Sequence, residues 1–216
     1  MKQHAQRHTK KRKTKSTFNP KHSRLEAPVM RFWPQKRWKK IVLTILLITL
    51  AVLGGVGAYF EYSVYREVST QTVILNANGA KIALVIYHPG LSEYAKNVTY
   101  TYAEALASID WRVEIATASP LAPTEITKYS LLVLGWAIYD FNPAPTITNQ
   151  INRIGNLNGI NTTIIILGGG LDPLNVKEAI TKTVRDANGT ITQIFTAYRS
   201  QRSPTLLQTK AAEIAP

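Results

Sequence analysis

The chain has no cysteine among its 216 residues. That excludes disulfides, thiolate nucleophiles, Cys-ligated zinc and iron–sulfur clusters, though it assigns no compartment. Histidine is almost as scarce. Of the four, His4, His8 and His22 fall in the first 40 residues and only His88 lies beyond, so no His-rich metal site is expected in the remainder. Net charge is also lacking where it would matter for a substrate. Residues 1–40 hold 14 of the 26 basic residues and one of the 13 acids, Glu26, so the rest carries twelve of each sign. A neutral folded portion gives no electrostatic footprint for nucleic acid. KKRKTK at 10–15 has a composition that suits nucleic acid, but topology and lipid attraction account for it without one.

What the chain does have is a long apolar run. Ile41–Phe60 (IVLTILLITLAVLGGVGAYF) contains 20 residues without a charge, and at 1.5 Å per residue it reaches about 30 Å, the depth of a hydrocarbon core. Trp33 and Trp38 precede it, and Tyr59, Tyr62 and Tyr65 stand at and beyond its end, as aromatic anchors do at both interfaces. A cleaved signal sequence would have a shorter apolar core and a small-residue cleavage site; Gly57-Ala58-Tyr59 is a poor one and the lead is long. A buried core helix would not be this uniform. The basic runs at 10–15 and 35–40 predict an N-terminus retained in the cytoplasm and a C-terminal portion outside it. The expected partners are the bilayer and, for the tail, anionic lipid, at about 1 kcal/mol per basic residue near the surface. The tail has too few apolar residues to fold and is expected to be disordered.

Beyond residue 70 the pattern alternates. Short apolar runs at 80–87 (AKIALVIY), 112–117 (RVEIAT), 130–135 (SLLVLG), 162–167 (TTIIIL) and 190–197 (TITQIFTA) have strand length. Amphipathic stretches between them predict parallel strands with helices on both faces. Ser92 is an expected N-cap for a helix that turns Ala95, Val98, Tyr102, Ala105, Leu106 and Ile109 inward. Residues 124–128 make a short turn at most. A helix at 146–154 carries Ile147, Ile151 and Ile154 on one face. Another, opened by Asp172 or Pro173, points Leu174, Val176, Ala179, Ile180 and Val184 inward and ends at Asn188-Gly189. A last short helix is expected at 204–214. TVILN at 72–76 reads as an edge strand beside the first. The order β-α-β-(α)-β-α-β-α-β-α supports an open doubly wound sheet. Ligands then belong beyond the carboxyl ends of the strands, on loops at 88–91, 136–145 and 168–173.

These loops carry a resemblance. YSLLVLGWAIYDFNPAP (129–145) is similar to the third-strand region of flavodoxins and related quinone reductases. KIALVIYHPGLSEYAKNVTYTYAEAL (81–106) resembles their first strand, phosphate loop and first helix, and IIILGGGLDP (164–173) their fourth strand and glycine loop. The likeness covers roughly residues 80–203. It implies a flavodoxin-like α/β domain with a five-stranded parallel sheet in the order 2-1-3-4-5, and FMN as cofactor for electron transfer or quinone-type reduction with a redox partner. Carried over residue by residue, Gly90 and Ser92 belong to the phosphate loop. Trp136, Tyr139 and Phe141 are the candidates for ring contact, and Gly168, Gly169 and Gly170 lie on the opposite loop. The departures are that Ser92 is the only hydroxyl before the helix, Pro89 lacks an N–H, Glu93 puts a negative charge beside the phosphate position, and Trp136 stands where the family has a small residue. A second assignment of the same residues makes the aromatics packing groups and the glycines turns, in a binding or scaffold domain without cofactor. Asp140 and Asp172 also fall on these loops, but Asp172 reads as a helix cap. No P-loop or dinucleotide fingerprint is present. The expected organisation is a basic tail (1–40), a transmembrane helix (41–60), a juxtamembrane linker with a candidate edge strand (61–79) and a flavodoxin-like domain (80–216).

Overall fold

A computed structural model of the protein describes residues 36–139, 142–168, 174–199 and 204–214. Helix α1, Arg37–Tyr65, is 29 residues long and none of them is buried. Apolar on every side, it suits hydrocarbon better than a protein core. It is long and apolar enough to cross a membrane, and it exceeds the expected span at both ends. The chain parts into two units, Met1–Thr49 and Leu50–Pro216; the described residues of the first lie in and just before α1.

The second unit is α/β. Its elements after α1 are β1 (Val73–Leu75), β2 (Lys81–Tyr87), α2 (Glu93–Ser108), β3 (Trp111–Thr117), β4 (Leu131–Tyr139), β5 (Asn142–Pro143), α3 (Pro145–Ile154), β6 (Asn161–Gly168), α4 (Leu174–Asp186), β7 (Thr190–Tyr198) and α5 (Pro204–Ala212). The sheet runs β1-β3-β2-β4-β6-β7, with the two-residue β5 folded back on the end of β4. Its five parallel members, β3-β2-β4-β6-β7, stand in the order expected. The expected count of five is too low, because β1 and β5 are added.

The edge strand also pairs differently from the expectation. β1 lies antiparallel on β3, with Val73 opposite Ile115 and Leu75 opposite Val113. Both edges of β2 are already taken, by β3 and β4, so the outer edge of β3 is where an added strand can bond. Strands β2, β4 and β6 are buried along nearly their whole length, which is why they read as continuous apolar runs.

Gly135, in the middle of β4, sets the depth of α2. A methyl group there would lie 2.7 Å from Thr99 Oγ1 and 2.9 Å from Tyr87 Cβ, so the helix sits directly on the strand. In α4, Val176, Ile180 and Val184 are buried and Ala179, expected inward, is exposed. The buried stripe follows i, i+4, i+8 and Ala179 flanks it. Asn188 (φ 61°) supplies the left-handed residue that ends α4, and Gly189 N–H then bonds the Val184 carbonyl at 2.9 Å.

The crossover from β3 to β4, residues 118–130, contains no helix. It covers the sheet with Ala118, Ala122, Ile126 and Tyr129, all buried, and is pinned by charge. Tyr129 donates its hydroxyl to Glu114 at 2.6 Å, Lys128 approaches the same carboxylate at 2.9 Å and Arg112 at 2.9 Å. Burial pushes the Glu114 carboxyl up, but Tyr129, Lys128 and Arg112 together outweigh it and hold it below the usual carboxylate range.

Tyr129→Phe removes a donor from a buried carboxylate and is expected to cost about 1.5–3 kcal/mol. Gly135→Ala forces a methyl group into a filled space, at about 1–3 kcal/mol. Urea unfolding of the full chain in mild detergent measures both, and midpoints equal to the parent protein's would refute these two assignments.

Candidate functional site

All five parallel strands end at the carboxyl edge, and the turn after β2 stands there between the ends of β3 and β4. Gly90 there has φ 69°, a conformation that favours glycine. The space above it is filled by a side chain from the end of β4. A methyl group on Gly90 would collide with the Tyr139 hydroxyl. Burial pushes the Tyr139 phenol up, against a smaller downward pull from the Leu91 backbone beside it. Ser92 precedes α2 in extended conformation (φ −144°) and makes no side-chain capping bond. The next residue, Glu93, pairs with Lys96 at 3.0 Å.

Trp136 and His88 face inward. Trp136 is 0% exposed, and its indole N–H donates to the Ala144 carbonyl at 2.9 Å. It has no open face to offer a ligand. His88 is 1% exposed and meets the Tyr139 ring edge to face, with centroids 5.9 Å apart and planes at 84°. Burial pushes its imidazole down to about 4, against a smaller upward pull from the Ser63 backbone. Neither ring nitrogen makes a hydrogen bond of normal geometry. Gly168 is a buried strand end, opposite Tyr198 in β7. Phe141, Gly169 and Gly170, like Asp140 and Asp172, lie outside the described residues. The structure therefore brings Gly90 and Tyr139 together, leaves Ser92 at the rim and puts Trp136 in the core.

The segment after α1 reaches the same edge. Thr70 N–H donates to Thr117 Oγ1 at 3.2 Å, and the two hydroxyls are 3.1 Å apart. Arg153, near the end of α3, donates to both Glu67 carboxylate oxygens at 2.5 and 2.7 Å. With the Ser63 backbone beside His88, three positions within eight residues are held by the α/β unit. Sequence reasoning missed this attachment and treated His88 as a loop residue. The signal for His88 was its place directly after a strand buried on both faces. Among the described residues no group of His, Asp or Glu has the arrangement of a metal site.

No family model and no curated protein sequence matches the chain. Solved structures do. A flavodoxin from the domain Archaea superposes with a TM-score of 0.53 at 12% identity, over 62% of this chain and 96% of that one. The flavodoxin of Streptococcus pneumoniae TIGR4 gives 0.52 at 11%, over 62% and 97%. The fold is flavodoxin-like. Rubredoxin:oxygen oxidoreductase from Desulfovibrio gigas gives 0.51 at 11%, over 64% of this chain but 36% of that larger one. Relative to the five-stranded sheet that the sequence resemblance implies, this flavodoxin-like unit adds β1 outside β3, and its β3–β4 crossover has no helix, as expected from residues 124–128.

The His88 imidazole is neutral in the folded chain at pH values where the unfolded chain begins to bind a proton. Stability should be unaffected by this residue above about pH 6.5, fall as the pH drops towards 4, and level off below. A displacement of that size is worth about 3 kcal/mol at most. Denaturant unfolding at pH 7.5 and 4.5 should show a larger acid loss for the parent protein than for His88→Phe. Equal losses would mean that His88 is not buried as described.

Proposed function

We propose that this chain is a membrane-anchored flavodoxin-fold module whose carboxyl edge acts by binding and does not hold FMN. The observation that carries this reading is Tyr139. A phosphate loop works by leaving backbone N–H groups free around a glycine so that oxygen anions can approach. Here a phenol oxygen occupies the approach to Gly90, beside the Leu91 backbone. Pro89 supplies no N–H, and the exposed Glu93 carboxylate stands at the first position of α2. Trp136, one of the three candidates for ring contact, is enclosed in the core. FMN is the cofactor that the flavodoxin resemblance implies, and the turn as it stands does not fit its phosphate.

A second reading keeps FMN, with electron transfer or quinone-type reduction as the activity and a separate redox partner. It is favoured by the fold, by the flavodoxins among its structural neighbours and by the left-handed Gly90. On either reading the basic tail stays on the cytoplasmic side, near anionic lipid, and the α/β unit is extracytoplasmic.

Full-length protein purified in mild detergent is expected to be colourless, to release no flavin on heating, and to keep its melting temperature in excess FMN. Tyr139→Ala, which empties the space over Gly90, should gain an FMN-dependent rise in melting temperature. Flavin retained near one per chain by the parent protein would overturn the proposal in favour of the second reading.

A further inference from the structure

The contacts at Ser63 and Thr70 fix more than the conformation of a linker. Tyr65 ends α1 and Thr70 is bonded to Thr117, the last residue of β3. Five residues span at most about 18 Å, so the carboxyl edge of the sheet is tied within that distance of the end of the helix. The backbone of Ser63, in the last turn of α1, lies beside His88 at the end of β2, which shortens the tie further. If hydrocarbon ends near Phe60, as the apolar run predicts, helical rise puts Ser63 only about 5 Å beyond it.

The exposed apolar side chains of the α/β unit are distributed accordingly. Past α1, the large hydrophobic residues that stand exposed among the described residues are Val73, Ile74, Leu91 and Leu121. Leu91 (40% exposed) follows β2 and Leu121 (69% exposed) follows β3, both on loops at the carboxyl edge. Val73 opens β1 at the end of the β1–β3 ladder that is nearest the same edge. Two arginines accompany them. Arg66 lies over the Tyr62 ring at 5.8 Å, and Arg199, which follows β7, lies over the Tyr94 ring at 6.0 Å. A guanidinium on a tyrosine combines an apolar body with a polar head, as the headgroup layer requires.

We infer that the carboxyl edge is a membrane-docking surface: it lies against the bilayer that holds α1, with Leu91 and Leu121 in the interfacial layer and Arg66 and Arg199 among the lipid headgroups. The occupant is lipid, because the contacts of Ser63 and Thr70 hold the edge to positions only three and ten residues past Phe60. The inference rests on the anchoring part of the proposed function and is independent of whether FMN binds. It adds that any ligand of this edge is reached through the headgroup layer.

The absence of cysteine makes the test direct. Leu91→Cys, Leu121→Cys, Val56→Cys within α1 and Asp186→Cys at the far end of α4 are each labelled with a nitrobenzoxadiazole fluorophore in the full-length chain. The proteins are reconstituted into phosphatidylcholine–phosphatidylglycerol vesicles with and without doxyl-labelled lipid. Labels at 91 and 121 are expected to be quenched at least about twofold more than the label at 186, as for side chains seated 5–10 Å into the interface. Labels at 91 and 121 that are quenched no more than the one at 186, while that at 56 is quenched, would overturn the docking surface and leave the anchor standing. An unquenched label at 56 would overturn the anchor and the docking surface together.

Discussion

Strands β2, β4 and β6 are covered on both faces, and most features of the α/β unit follow from that constraint. Side chains on such strands have no solvent face, so they are apolar throughout, and any polar group must sit at a strand end or be fully partnered. Trp136 meets the condition by handing its N–H to Ala144. Glu114, on the less central β3, meets it with Tyr129, Lys128 and Arg112. His88, directly after β2, and Thr163, within β6, are exceptions, buried without a well-formed side-chain hydrogen bond; the His88 ring is held neutral by its burial.

At the carboxyl edge the chain uses its own groups where a flavodoxin-like resemblance would put a ligand's. The phenol of Tyr139 lies over Gly90, Ser63 stands beside His88 at the end of β2, and Thr70 is bonded to Thr117 at the end of β3. The crossover at 118–130 has no helix, yet the Glu114 cluster keeps it tight against the sheet. These changes lie on one side of the fold and leave the rest of the five-strand parallel arrangement intact. A fold common to many proteins thus carries a distinct edge.

The amino-acid pattern revealed the architecture well because it is written in local periodicity. Runs such as ALVI at 83–86 and IIIL at 164–167 can only be buried strands, and Ile147 and Ile151 mark a helix face by their spacing. Pairing is not local, and there the expectation for β1 failed. VIL at 73–75 says nothing about which edge is vacant, since that depends on β3 and β4 having claimed β2. The inward assignment of Ala179 failed because alanine is tolerated on either side of a stripe boundary. At the site, Gly90 was legible from its place before a helix. The Tyr139 hydroxyl was not, because it arrives from 49 residues downstream. Thr70 and Thr117 gave no signal either, being two ordinary threonines 47 apart.

The antiparallel placing of β1 bears on the order in which the structure assembles. Emerging from synthesis, α1 comes first and β1 next, but the partner of β1 is complete only when Thr117 has been made, and β2 must already lie between β3 and the rest of the sheet. The strand nearest α1 is thus a late addition, and until it closes the segment between α1 and β2 stays open. Such long-range closure is paid in chain entropy. Placing the first strand on the outside lets the parallel sheet form before the segment that follows α1 is closed onto it.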